Sequence, residues 1–301
     1  MSFNDNIQLD PGRVTTSKGG RGGRGLAIGG GGSLLVVIAL VVISQLTGVD
    51  LIGGLTGSGG QQQSQSAAPG IDLSHCTSGQ AANQKDECRM VATAQSLDAM
   101  WGEQLPQQAN TEYAKPGFQI FQNSVSTQCG TASANVGPFY CPGDKTVYLD
   151  LSFFKQLSQF GAKNGPLAQE YIVAHEFGHH IQNLTGQFTA HDTRQSGDGS
   201  DAVRMELQAD CYAGIWVNRA SQTVDKNSGE AFLQKPSDTQ IADALGVAAA
   251  IGDDHLQQQS QGGVNPDSWT HGSSEQRTRW FKTGIEQGSM QACDTFSATD
   301  L

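Results

Sequence analysis

Apolar positions recur at helical spacing through most of the chain after residue 71 and predict a largely helical domain. We predict helices at about 83–104, 152–160, 166–184, 203–220, 237–252 and 273–287. Two segments rich in β-branched and aromatic residues, GFQIFQ (117–122) and TVYLDL (146–151), predict short strands. Because the few strands all lie in the first half of this region, the pattern indicates an α+β fold and not a wound parallel sheet.

The first 70 residues follow a different pattern, in which one long uncharged stretch separates two polar segments. Residues 26–46 carry no charge and include the run LLVVIALVVI, which is long enough as a helix to cross a bilayer once. Residues 1–25 are Gly-rich without an apolar period and predict a disordered tail. The Gly, Ser and Gln content of residues 47–70 predicts a flexible linker to a folded domain at 71–301.

The distribution of positive charge predicts how the apolar stretch is oriented. Several basic residues precede it, and none occurs between Arg24 and Lys85. By the positive-inside rule we predict a single transmembrane helix at 26–46 of the inner cell membrane, with a cytoplasmic amino terminus and an extracytoplasmic, periplasmic domain. A cleaved signal peptide is the alternative, but the apolar run starts late and no clean Ala-x-Ala cleavage site follows it.

Charge and cysteine content narrow the function classes. The 301 residues include 29 acidic and 18 basic residues, for a net charge of −11, so a generic nucleic-acid binder is excluded because it needs a basic face. Six cysteines, all in the predicted extracytoplasmic domain, are expected to form disulfides. Sequence alone does not fix the pairing, but local spacing favours Cys76–Cys88 and Cys129–Cys141, which leaves Cys211 with Cys293.

The helix predicted at 166–184 contains the sequence His-Glu-Phe-Gly-His-His at 175–180. His175 and His179 are four residues apart and share one helix face, so both imidazoles can bind one zinc ion. Glu176 lies one step round the helix, where a base is needed to take a proton from zinc-bound water. The competing interpretation is a helix whose histidines are solvated.

A catalytic zinc site needs a third protein ligand, and the next predicted helix supplies Glu206. Asp210 follows four residues later on the same face and is predicted to orient a ligand histidine by accepting a hydrogen bond from it. The alternative interpretation is that Glu206 and Asp210 lie on a solvent-exposed face of the helix. It is disfavoured because the residues around both acids are apolar, and a buried pair of acids needs a cation. The pattern His-Glu-x-x-His-x-x-Gly-x-x-His, which supplies a third histidine ligand, is absent because positions 182 and 185 are Gln and Thr. Cysteine ligation is not indicated either, since no Cys-x-x-Cys occurs.

Four further residues carry weaker predictions. His271 precedes the last helix and is a candidate for stabilising the oxyanion of a tetrahedral intermediate, with a capping or core-edge role as the alternative. Arg277 is interpreted as a structural ion-pair partner of a helix acid, although it could bind a carboxylate. Asp253 and Asp254 are interpreted as solvated acids of a helix C-terminal loop, with a structural calcium site as the alternative.

These motifs together resemble the bacterial neutral zinc metallopeptidases, which are predicted membrane-anchored peptidases. The resemblance rests on HEFGHH and ELQADC, on CGTASANVGPFYCPGDKTVYLDLSFF before them, and on AIGDD and THGSSEQRTRWF after them. The Glu-x-x-x-Asp helix is also similar to that of the thermolysin-like, glutamate-ligand superfamily. THGSSEQR has the His-to-Arg spacing of the Thr-His-Pro…Arg element in integral-membrane zinc proteases, but Gly272 stands where that element has Pro.

The resemblance implies a zincin-like fold with the metal at the floor of a cleft between two subdomains. It implies His175, His179 and Glu206 as zinc ligands, Glu176 as general base and His271 as a transition-state stabiliser. In such folds an edge strand beside the metal pairs with an extended substrate, and TVYLDL is our candidate.

We therefore predict a zinc-dependent endopeptidase with one Zn²⁺ per chain, acting on a peptide or protein substrate. A zinc amidase on cell-wall peptides and a non-catalytic, metal-stabilised binding or scaffold domain at the membrane are the alternatives.

Overall fold

The computed structural model describes residues 2–17 and 70–301. Across these two ranges, no helix combines the length and the hydropathy needed to cross a bilayer. The transmembrane helix predicted at 26–46 lies outside the described residues, as does the linker predicted at 47–70 apart from its last residue.

The described part of the chain has the mixed α+β architecture predicted from sequence, with helices dominating. The helices are α1 (Gly79–Gln84), α2 (Asp86–Ala109), α3 (Phe153–Gln156), α4 (Pro166–Leu184), α5 (Gln187–Ala190), α6 (Asp201–Arg219), α7 (Asp238–Ala250), α8 (Asp253–Gln261) and α9 (Ser274–Gln287). The strands are β1 (Thr15–Ser17), β2 (Gly117–Phe121), β3 (Ser124–Thr127), β4 (Gly130–Ser133), β5 (Phe139–Cys141) and β6 (Thr146–Leu149).

The elements differ from the sequence prediction at a few places. The helix predicted at 83–104 is divided, because Lys85 has an extended backbone that ends α1 and begins α2. The segment predicted as a loop at 124–144 contains the hairpin β3–β4, and α8 follows directly after the end of α7. The helices that carry the candidate ligands, α4 and α6, lie where the apolar period placed them.

The main sheet has the strand order β1-β2-β6-β5. β1, β2 and β6 run parallel to one another, and β5 runs antiparallel to β6 with Phe139 opposite Tyr148. TVYLDL forms β6, which is hydrogen-bonded on both sides, so the prediction that it is the substrate-binding edge strand is wrong. Within the described ranges, β5 is the edge strand that lies beside α4.

The amino-terminal arm, which we define as residues 2–17, is part of the fold. Its strand β1 pairs with β2, and four of its apolar side chains are buried in the core: Phe3, Ile7, Leu9 and Val14. The prediction of a disordered tail is therefore wrong for residues 2–17. Burial of these side chains contributes to ordering the arm against the loss of chain entropy.

Three disulfides connect the six cysteines. They are Cys76–Cys88, Cys129–Cys141 and Cys211–Cys293, which confirms the pairing that local spacing favoured. The first links the loop before α1 to α2, and the second joins the β3–β4 hairpin to β5. The third ties α6, the helix that carries Glu206, to the C-terminal segment.

Candidate metal centre

The helix α4 positions the first two candidate ligands at the centre of the domain. Pro166 occupies its first turn, where a missing N–H costs nothing, and the helix is buried from Leu167 to Gln182. His175 and His179 both project from one face of it, as their four-residue spacing predicts, with ring centroids 4.7 Å apart. The two residues are only 7% and 6% exposed, so both imidazoles are largely shielded from solvent.

The helix α6 brings the third candidate ligand to the same point. Its N-cap is Ser200, whose side chain accepts a hydrogen bond from the Val203 N–H and so fixes where the helix begins. Glu206 lies between the two rings, with Oε2 3.2 Å from His175 Nε2 and Oε1 3.5 Å from His179 Nε2. Burial raises the pKa of the Glu206 carboxyl, but the nearby His179 and His175 outweigh it and hold the pKa well below its usual range.

The spacing of these three groups fits a zinc ion. Their ligand atoms all lie within 4.8 Å of one another. A tetrahedral zinc ion with bonds of about 2.0–2.1 Å holds its ligand atoms about 3.3–3.4 Å apart. His175 Nε2 and His179 Nε2 lie 3.2 Å and 3.5 Å from different oxygens of Glu206, so all three side chains are within reach of one ion. Two imidazoles and one carboxylate are also the donor types of a catalytic zinc site that leaves one position open.

In each histidine the second ring nitrogen, Nδ1, donates a hydrogen bond to a side-chain oxygen of the protein. His175 Nδ1 lies 2.8 Å from Asp210 Oδ1, as the sequence predicted for Asp210. His179 Nδ1 lies 2.8 Å from Gln182 Oε1, and Gln182 is itself anchored by donating to the Met205 carbonyl at 2.7 Å. These bonds put the protons on Nδ1 and leave both Nε2 atoms free to bind a metal.

Asp210 is the centre of a buried polar network. Arg277 forms a bidentate pair with it, with Nε 2.8 Å from Oδ2 and Nη2 3.0 Å from Oδ1, and the Tyr171 hydroxyl donates to Oδ1 at 2.5 Å. Burial raises the pKa of Asp210, but Arg277 and His175 outweigh it and lower the pKa to about 2. Arg277 is therefore a structural partner of a helix acid, in line with its interpretation from sequence.

Glu176 lies in the same buried region without being one of the three clustered ligands. Its side chain is 8% exposed, and burial raises the pKa of its carboxyl, while the neighbouring His179 and His175 lower it. A backbone hydrogen bond from Tyr140 on β5 also lowers it. A carboxyl whose pKa lies above its usual range is a better proton acceptor at neutral pH than a solvated one.

His271 is held at this site by a residue whose role the sequence analysis missed. Asp253 Oδ2 accepts backbone hydrogen bonds from Thr270 and His271 at 2.7 Å each, and Oδ1 lies 3.2 Å from His271 Nδ1. Burial lowers the pKa of His271, but the charges of Asp253 and Glu206 outweigh it and raise the pKa.

The interpretation of Asp253 as a solvated loop acid is wrong, because it is 3% exposed and begins α8. Asp254 is also engaged, since it accepts hydrogen bonds from the Ser274 N–H and hydroxyl at 2.7 Å each. Both oxygens of Asp253 and Oδ1 of Asp254 are therefore already engaged by protein groups.

Other histidines have partners away from the three ligands. His180, next to His179 in sequence, is fully buried, bonds the Ala114 carbonyl at 2.6 Å and lies 3.0 Å from the Tyr140 hydroxyl. Burial lowers its pKa to about 4, so it is neutral. His191 stacks on the ring of Phe296 with centroids 3.5 Å apart.

The described residues thus combine a mixed α+β fold with a candidate metal site formed by His175, His179 and Glu206. Residues 3–296 match the family model described as "Putative neutral zinc metallopeptidase". The chain belongs to this neutral zinc metallopeptidase family, as its motifs indicated.

Two relatives show how widely the sequence pattern extends. The chain is 50% identical over 235 residues, 78% of each chain, to the uncharacterized protein Rv2575 of Mycobacterium tuberculosis (strain ATCC 25618 / H37Rv). It is 38% identical over 282 residues to the uncharacterized protein YpfJ of Escherichia coli (strain K12), which covers 91% of this chain and 90% of the relative. No solved structure matches the chain.

Proposed function

We propose that this protein is a zinc-dependent endopeptidase. The observation that carries the proposal is the placement of His175 Nε2 and His179 Nε2 at 3.2 Å and 3.5 Å from the two oxygens of one carboxylate, Glu206, with the three ligand atoms within 4.8 Å of one another. Membership of the metallopeptidase family supports the same assignment. Asp210 and Gln182 then serve to orient the two histidines.

The chain's own residues have separate tasks in peptide hydrolysis. Zinc bound by the three ligands would act as a Lewis acid and would lower the pKa of water at its open position. Glu176 accepts the proton of the attacking water and delivers it to the leaving amine, for which its raised pKa suits it. His271, held by Asp253, donates a hydrogen bond to the oxyanion that develops on the scissile carbonyl.

The strand β5 is our candidate for binding the substrate backbone. It forms an edge of the main sheet in the described part of the chain, and the backbone of its Tyr140 lowers the pKa of the Glu176 carboxyl. An extended peptide added to this edge would lie beside the candidate general base. The side-chain network of Tyr140, His180 and Asn183 fixes β5 against α4.

The disulfide bonds indicate the cellular compartment of the peptidase domain. Three disulfides are stable in an oxidising environment and rare in the cytoplasm, so we place the peptidase domain outside the cytoplasm. Attachment to the cell membrane through residues 26–46 stays a prediction.

The test compares wild type with Glu176→Gln by zinc content and by digestion of a broad peptide pool. We expect Glu176→Gln to keep one zinc per chain and to lose hydrolysis by about 10²–10⁴-fold, because only the proton acceptor is removed. The matched control is Glu275→Gln, whose side chain is 84% exposed and which should retain full activity.

Two results would redirect the assignment. If wild type and Glu176→Gln behave alike on every peptide, the domain is a metal-stabilised binding module. If wild type cleaves cell-wall peptides but no linear peptide, it is an amidase with the same metal site. Full zinc retention in Glu206→Ala would remove Glu206 from the ligand set.

A further inference from the structure

The amino-terminal arm is attached to the domain by backbone hydrogen bonds at separate places. The Asn4 N–H donates to the Phe232 carbonyl at 3.0 Å, and the Leu9 N–H donates to the Thr77 carbonyl at 3.1 Å. At its far end, β1 extends the main sheet by pairing in parallel with β2. The arm is thus held along its whole length and not at one point.

The domain surface beneath the arm is shaped to receive it. Gly79 donates its N–H to the Ile7 carbonyl at 3.2 Å. A Cβ atom at Gly79 would lie 1.9 Å from the Asn4 carbonyl oxygen and 2.9 Å from Ile7 Cγ1, and all three of its nearest atoms belong to the arm. A side chain at position 79 would therefore disturb the arm before it disturbed the rest of the domain.

The arm also reaches the back of the candidate active-site helix. Arg13 forms a bidentate pair with Asp98, with Nε 2.5 Å from Oδ2 and Nη2 3.1 Å from Oδ1, and the two side chains are only 9% and 4% exposed. The guanidinium carbon of Arg13 lies 5.8 Å from the ring centroid of Phe177, the residue after Glu176. An ion pair buried this deeply depends on the fold around it, because each charge alone would be costly to bury.

Residues of the arm are included in the sequence pattern shared by the family, since the family model begins at residue 3. The contacts above involve residues throughout the domain, from Thr77 to Phe232. They are contacts of an integral part of the fold and not of an appended tail.

We propose that the arm and residues 70–301 form one folding unit, so that the amino terminus and the peptidase domain lie in the same compartment. An apolar stretch of 21 residues crosses a bilayer once, and two crossings need on the order of forty apolar residues. Residues 18–69 contain one such stretch, 26–46. A single crossing between the arm and the domain would separate surfaces that are buried against each other. The proposal is therefore incompatible with the single transmembrane crossing predicted at 26–46, whichever way that span is oriented.

The first test compares the accessibility of two engineered thiols in intact spheroplasts. All six native cysteines are in disulfides, so Thr16→Cys in the arm and Gln258→Cys in α8 each introduce a single free thiol at an exposed position. We expect a membrane-impermeant maleimide to label both variants of the full-length chain under the same condition, either before or only after permeabilisation. Labelling of one variant before permeabilisation and of the other only afterwards overturns the proposal.

The second test asks whether the arm stays bound when its covalent connection is cut. A recognition site for a specific protease is inserted between Gly19 and Gly20 of the full-length chain, and the cleaved protein is separated by size in detergent. We expect the arm fragment to co-elute with the domain in wild type and in Gly246→Ala, where an added Cβ meets nothing within 4 Å, and to be released in Gly79→Ala. Release of the arm from the cleaved wild-type protein overturns the proposal.

Neither readout depends on zinc or on hydrolysis. The proposal can therefore fail while the peptidase assignment stands, and the reverse also holds.

Discussion

Gly178 sets the distance between the two helices that carry the candidate zinc ligands. It lies on α4 between His175 and His179, and a Cβ atom there would be 2.9 Å from the Ala209 carbonyl oxygen and 3.0 Å from Ala209 Cα on α6. Both are backbone atoms, which cannot rotate away. Ordinary contact begins at 3.4 Å, so in Gly178→Ala the helices must separate locally by about 0.5 Å.

That separation moves one ligand away from the other two. Glu206 is on α6, less than one turn before Ala209, whereas both histidines are on α4. Zinc–ligand distances are tolerated within about 0.2 Å, so a shift of about 0.5 Å is larger than the site can absorb without rearrangement. We expect zinc affinity to fall on the order of 10–100-fold, as it does when the support of a ligand is removed.

The effect on stability is smaller and has two opposing contributions. Overpacking at the helix contact costs about 1–3 kcal/mol, while replacing a helical glycine by alanine returns about 1 kcal/mol. The free energy of unfolding of the zinc-free protein should therefore fall by about 0–2 kcal/mol. Zinc affinity, and not stability, is the decisive measurement.

The assay is competition for zinc with a chromophoric chelator, together with urea unfolding of the zinc-free proteins. The control is Gly246→Ala on α7, where an added Cβ meets nothing within 4 Å. It should bind zinc as wild type does and gain about 0.5–1 kcal/mol in stability. Wild-type zinc affinity in Gly178→Ala, with a gain in stability like that of the control, would refute the reasoning.

Three further variants test the residues around the site. Arg277→Met leaves Asp210 buried without its cation and should lower the free energy of unfolding by about 3–5 kcal/mol in urea titrations; a loss under 1 kcal/mol would contradict this. Asp253→Asn removes the charge that raises the pKa of His271, so NMR titration should show that pKa falling, and an unchanged value would exclude the coupling. The pKa of His180 is lowered to about 4 in the folded state, so acid favours the unfolded state. Relative to His180→Gln, wild type should lose up to about 3 kcal/mol as pH falls from 6.5 to 4 in urea unfolding, and parallel pH profiles would refute the assignment.

The ligand set could be predicted because its geometry is local. Positions four residues apart share a helix face whatever the rest of the fold does, so His175 and His179 are paired by sequence alone. The same spacing places Glu206 and Asp210 on one face of α6. The structure brings these two faces together, with Asp210 on the outer nitrogen of His175.

The supporting residues escaped prediction because their partners are distant in sequence. Asp253 acts on His271 across 18 residues and Gly178 accommodates Ala209 across 31, and neither separation follows from a helical period. Strand order is a property of the whole sheet, which is why β6 was mistaken for the edge strand in place of β5.

The arm was misjudged for a related reason. Its apolar residues are few and lie among glycine and polar residues, so composition indicates disorder. Its order depends on contacts with residues more than 60 positions away, such as the carbonyl groups of Thr77 and Phe232. Phe3 and Ile7 lie in non-helical backbone, so a helical period could not have identified their burial.

The buried charges around the candidate metal site explain why a cation is favoured there. Three buried carboxyl groups, on Glu176, Glu206 and Asp210, converge there, and among the described residues Arg277 is the permanently charged cation bonded to this group. With both histidines in the neutral form that binds metal, a dication held by the three candidate ligands would offset this buried negative charge. The same negative charges act on His175 when no metal is bound. Burial lowers the pKa of His175, but Asp210 and Glu206 outweigh burial and raise that pKa to about 10. The buried carboxylates therefore favour a cation at the point where the three candidate ligand atoms meet.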